Sequence, residues 1–170
     1  MRYRISHSMN TDADTYWNQI FFDEEYNDKL FKGYLRFSNH RVLELRKDAD
    51  GTVHRRVESS PAVELPGALK KVLGDLSSYV EEGVFDPVTK HFHIKVIPSA
   101  AADKIKTRVE VWVEPRGAGQ SERIVDVDSE VKIFGIGKVA EKFLEQQLRT
   151  TYGAAAEFTN RWIAEKGLAP

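Results

Sequence analysis

Residues 137–166, GKVAEKFLEQQLRTTYGAAAEFTNRWIAEK, decide the fold. At about 100° per residue, Ala140, Phe143, Gln147, Thr151, Ala154 and Phe158 fall on one stripe, continued upstream by Ile136 and flanked by Leu144 and Trp162. Lys138, Lys142, Glu145, Arg149 and Asn160 fall opposite. The pattern predicts an amphipathic helix packed on something large. At about 1.5 Å per residue it is roughly 45 Å long, enough to cross a whole small sheet.

Working back from that helix, the chain reads as strands. Arg123 to Ile133 alternates, with Val125, Val127, Val131 and Ile133 on one side and Asp126, Asp128, Glu130 and Lys132 on the other. Lys104 to Glu114 does the same, with Val109, Val111 and Val113 opposite Arg108, Glu110 and Trp112. Tyr79–Asp86 and His91–Ile97 are two further strands joined at Asp86-Pro87. Arg41–Arg46, Asp50-Gly51 and Val53–Glu58 make a hairpin, because Asp-Gly tolerates the positive φ of a tight turn. One apolar and one charged face mark an antiparallel sheet with a single buried side. Residues 3–9 alternate as a first strand would, and two short helices follow. The first is expected to be capped by the Thr11 hydroxyl. The second runs from Asp23 to Lys32, with Gly33 as its C-cap. Pro66–Leu76 suits another short helix, with Pro at its start and Gly74 near its end.

The bulk composition narrows the function. A formal net charge of -1 argues against a nucleic-acid binder that relies on counterion release. With no cysteine, disulfides, thiolate catalysis and Cys-based zinc sites are impossible. The start, MRYRISHS, lacks a signal peptide's apolar run, and no stretch is apolar enough to span a membrane, so a cytoplasmic protein is expected. No cofactor fingerprint is present; Gly135-Ile-Gly137 is too short for a phosphate loop.

The order strand, two short helices, six to seven antiparallel strands and a long closing helix resembles the α+β helix-grip fold of the START-like (SRPBCC) superfamily. Two runs carry a narrower resemblance: LPGALKKVLG at 65–74 and VKIFGIGKVAE at 131–141. They are similar to an uncharacterised bacterial START-like family of the DUF2505 kind and, more distantly, to the sterol-carrying VASt/Aster domains. The resemblance implies that residues 1–170 form one START-like domain, with a curved sheet wrapped around the last helix and ligands held between them.

On that expectation, the candidate ligand-binding residues are the inward-facing ones. They are Arg55, Leu69, Leu73, Phe92, Ile94, Val109, Val111, Val125, Val127, Phe143, Gln147, Thr151 and Ala154. Small residues such as Ala140, Thr151, Gly153 and Ala154 either leave space beneath the helix or let it approach the sheet closely. Gln147 and Thr151, central to the stripe, need a partner if buried, either the sheet backbone, water or a ligand. Arg55 shares parity with Val53 and Val57, so it either points inward or sits at the open rim. His91 and His93 alternate with Phe92 and Ile94, which puts them outside as a solvated pair and not as metal ligands. The row Asp126, Asp128, Glu130 reads as a solvated face rather than as catalytic acids. The helix at 66–76 is either a lid or a plug for the sheet's open end, and Lys70 and Lys71 could meet anionic headgroups during transient membrane contact.

The leading expectation is binding or transport of a lipid, sterol or other apolar small molecule. The alternative is a filled helix-grip domain acting on a protein partner, with no cavity above a few hundred Å³ and an exposed apolar patch. A cyclase- or hydrolase-type enzyme in the same cavity ranks last, because it requires inward acids or bases.

Overall fold

A computed structural model describes residues 1–74 and 76–170. The order is β1 (Arg2–Met9), α1 (Ala13–Thr15, continuing in π-helical turns over Tyr16–Phe21), α2 (Glu24–Asp28, continuing likewise over Lys29–Tyr34), β2 (Asn39–Lys47), β3 (Val53–Ser60), α3 (Gly67–Leu73), β4 (Tyr79–Asp86), β5 (His91–Pro98), β6 (Ile105–Pro115), β7 (Ser121–Val131) and α4 (Gly137–Lys166). The seven strands form one curved antiparallel sheet in the order β1-β7-β6-β5-β4-β3-β2. Only the pairing of β1 with β7 joins distant parts of the chain; every other neighbour is consecutive. This is the expected α+β helix-grip arrangement.

The alternation seen in the sequence is the alternation of burial. Val109 and Val111 on β6 and Val125 and Val127 on β7 are buried with Phe92 and Ile94 of β5, forming the core beneath α1 and α4. The outer residues pair across strands, as in Arg4 with Asp126 and Arg2 with Asp128. Asp50-Gly51 turns the hairpin, with Gly51 at φ 94°.

Several local expectations are corrected. Asp12, not Thr11, caps α1: its Oδ1 accepts from the Thr15 backbone N–H at 2.8 Å. Thr11 is fully buried and its hydroxyl donates to the Leu168 carbonyl at 2.8 Å, tying the start of the chain to its end. Asp23 caps α2, and Gly33 lies inside the π-helical turns rather than ending them. The last strand stops at Val131, because the chain must turn into α4. Helix α3 ends at Leu73 with Gly74 at φ 63°, so Leu76 lies beyond it; Asp75, in the Pro66–Leu76 segment, is outside the described residues.

The buried side of α4 is rotated by about one residue from the expected stripe. Ala140, Ala155, Ala156, Thr159, Trp162 and Ile163 face the interior, so Gln147 and Thr151 lie at its flank and Ala154 is only half-buried. The reason is the neighbouring elements. Ala155, Trp162 and Ile163 pack with Ile20, Tyr26 and Leu30 of α1 and α2, and that contact fixes the face that the second half of the helix buries.

Candidate functional site

Beneath the first half of α4 lies a cavity of about 180 Å³. Its walls come from the ends of the strands (Tyr79, Glu81, Val96, Pro98, Ile105, Thr107, Val109) and from Phe143, Leu144, Gln147, Leu148, Thr151 and Tyr152 of α4. Pro61, Val63 and Leu65 before α3, with Leu76 and Ser78 after it, complete the rim. Helix α3 itself plugs the neighbouring end: Leu69 and Leu73 are buried against Ile105, Val131 and Ala140. Its Lys70 and Lys71 face solvent.

The structure thus brings Val109, Phe143, Gln147 and Thr151 to the cavity wall. The other expected residues lie elsewhere. Leu69 and Leu73 belong to the plug, and Phe92, Ile94, Val111, Val125 and Val127 to the packed core. Ala154 does not line the cavity, because of the rotation of α4.

Arg55 points inward and is 8% exposed. Its guanidinium lies 4.6 Å from the Phe21 ring centroid and 5.0 Å from that of Phe92. Nη1 donates to the Phe21 carbonyl at 3.4 Å, a long bond. Nη2 stands 4.0 Å from Glu81 Oε2, close enough for charge attraction but too far for a hydrogen bond. Glu81 lines the cavity and keeps 25% of its side-chain surface accessible. Val57 and Val96 are its cross-strand neighbours. Burial pushes the Glu81 carboxyl above the usual carboxylate range, and Arg55 opposes that rise. Burial, reinforced by the charge of Glu81, also holds the Tyr79 hydroxyl well above its ordinary value, so it stays protonated.

Glu81 escaped the sequence reading, although a signal was present. In β4, Tyr79, Glu81, Gly83 and Phe85 share one parity, and Phe85 is plainly apolar. Arg123 was missed in the same way: it alternates with Val125 and Val127, is 3% exposed, and donates from Nη2 to the Tyr152 carbonyl at 2.9 Å. An inward acid therefore exists, which the parity argument against catalysis lacked.

The remaining candidates sit outside. His91 Nδ1 contacts Glu110 Oε1 at 2.5 Å and its ring stacks on Trp112. Among the described residues, no group of three or more His, Asp or Glu side chains is placed to hold a metal ion. A groove of about 790 Å³ on the outer sheet face is open and lined by charges of both signs, including Arg2, Arg4, Asp126 and Asp128, several already paired.

A family model described as a protein of unknown function, DUF2505, matches residues 4–163. The chain belongs to this family. No curated protein matches its sequence. Among solved structures, the fold is similar to the Zhui aromatase/cyclase from Streptomyces sp. R1128, at TM-score 0.67 and 12% identity over 98% of this chain and 94% of that one. It is also similar to a START superfamily protein from Mycobacterium smegmatis, at TM-score 0.61 and 12% identity over 95% and 98%. Norcoclaurine synthase from Thalictrum flavum, in complex with dopamine and hydroxybenzaldehyde, aligns at TM-score 0.64 and 16% identity over 97% and 88%. At these identities the likeness concerns the fold: this DUF2505 member has a START-like helix-grip fold, shared by proteins that include enzymes.

Proposed function

We propose that this DUF2505 protein binds a small apolar molecule in the cavity between the sheet and α4. The observation that carries the reading is an apolar-walled space to which, among the described residues, a single carboxylate, Glu81, is presented. Natural ligand sites have this composition, mostly apolar with few polar groups. The START superfamily neighbour and the norcoclaurine synthase complex lend support at the level of fold.

Volume sets the ligand's size. Ligand pockets usually measure about 300–1,000 Å³, whereas an apolar cavity of about 150 Å³ holds benzene. A space of about 180 Å³ suits a molecule of one ring. A lipid or sterol is larger than this space and would extend past the rim formed by Pro61, Val63 and Leu65, where Val63 is 37% exposed.

A second reading, a module for a protein partner, is favoured by the same modest volume and by exposed apolar residues on the edge strand β2, where Val42 is 44% and Leu45 51% exposed. The two readings separate in one experiment. Toluene titrated into ¹⁵N-labelled protein should shift the resonances of Val109, Phe143 and Thr151. Thr151→Phe, which places a ring in the space, should abolish those shifts while leaving the thermal midpoint within a few degrees. An unresponsive spectrum, together with ligand-free purified protein in native mass spectrometry, favours the partner module.

A further inference from the structure

We propose that the cavity selects a neutral hydroxyl group on its apolar ligand, held by the Glu81 carboxylate with Arg55 behind it. This deepens the cavity reading and rests on it.

The argument begins with what Glu81 lacks. Its nearest cationic partner, Arg55 Nη2, is 4.0 Å from Oε2, beyond hydrogen-bond reach. Its cross-strand neighbours, Val57 and Val96, offer no donors from their side chains. A carboxylate in such a setting loses several hydrogen bonds to water and regains few. It is nevertheless the charged group among the described residues that face the open space, while Arg55 is not part of the lining. A ligand donor therefore finds in Glu81 a charged acceptor, stronger than the neutral oxygens of Gln147 and Thr151 in the same wall.

Charge decides which donor. Arg55 and Glu81 together sum to zero, and the three rings around Arg55 exclude water. A ligand ammonium or carboxylate would leave one uncompensated charge in this apolar setting, which is costly. A hydroxyl adds no charge and donates a charge-assisted hydrogen bond, stronger than a neutral one. Tyr79 and Tyr152, also in the wall, keep their own hydroxyls protonated through burial and the Glu81 charge. Neither takes up the role of a buried anion.

The test compares four probes of similar size at pH 7 by calorimetry or NMR: phenol, toluene, benzylamine and benzoate. Phenol should bind roughly tenfold tighter than toluene, the gain of one hydrogen bond to a charged group. Benzylamine and benzoate should bind more weakly than toluene. Glu81→Gln should reduce the phenol advantage to a few-fold at most and leave toluene unchanged. Should that variant not fold, the ¹³C carboxyl resonance of Glu81 in the unaltered protein reads the same contact, and it should move with phenol and not with toluene. Toluene equal to phenol overturns the hydroxyl preference while preserving the cavity. Benzoate as the tightest probe overturns it in favour of Arg55 as an anion site over a protonated Glu81, and benzylamine as the tightest overturns it in favour of a cation site. Failure of all four to bind overturns the cavity reading itself.

Discussion

At the scale of single residues, two positions on strands that flank β3 shape the interior. Gly83 on β4 carries no side chain, and the Phe92 ring occupies that place: a Cβ there would lie 2.1 Å from Phe92 Cζ. The space lets Arg55, paired with Gly83 across the strands, lie against the same ring. Gly83→Ala must displace Phe92, which is 1% exposed, so a loss of about 1–3 kcal/mol is expected in urea denaturation. The second position is His40, 8% exposed, stacked on Phe31 at 3.9 Å and bonded through Nδ1 to Ser59 Oγ at 3.0 Å. Burial, then the charges of Arg55 and Lys32, lowers its pKa from 6.5 to about 4. The unfolded chain therefore binds more protons between those values, so His40 makes stability fall as pH drops through that window. His7, lowered by burial and by Arg123, acts in the same direction, and Glu81, raised by burial, in the opposite one. Urea midpoints at pH 7 and pH 5 should differ less in His40→Gln than in the unaltered protein; equal differences would rule out this assignment. None of these environments was legible in the chain. A lone glycine or histidine in a strand pattern carries no mark of the ring that will lie beside it.

At the scale of elements, strand parity transmitted well and helix rotation did not. Parity is a period of two, so every inward residue of β5, β6 and β7 follows once one valine is placed. It also places Arg123 inside with Val125 and Val127, whereas in β4 the valines Val80 and Val84 lie on the parity opposite Glu81 and leave its face undecided. The α4 stripe was off by one residue because about 100° steps leave neighbouring stripes with similar apolar content, and only the contact of Trp162 and Ile163 with α1 and α2 chooses between them. Helix α3 shows the same division. Its Pro66 and Gly74 borders were readable, whereas its role as a plug depends on Ile105, Val131 and Ala140 meeting Leu69 and Leu73. Leu69 is 1% exposed, and Leu69→Ala should cost about 2–5 kcal/mol in thermal or urea denaturation. A lid that rests loosely on the cavity would lose far less.

At the scale of the whole molecule, the sheet is a consecutive meander except where β1 returns to pair with β7. Thr11 with the Leu168 carbonyl and the Ser121 hydroxyl with the Thr11 carbonyl fasten the same region. The chain by itself determined the order of elements, the two-faced strands and the long closing helix, because these depend on local periodicity and on glycine, proline and capping residues. Only the tertiary structure decided where space remains beneath α4 and which charge faces it. Those depend on volumes and distances summed over several strands and a helix, quantities that no local pattern encodes. The thirty-residue helix is thus written in the sequence, while the cavity of about 180 Å³ with Glu81 at its wall arises from how the curved sheet meets that helix.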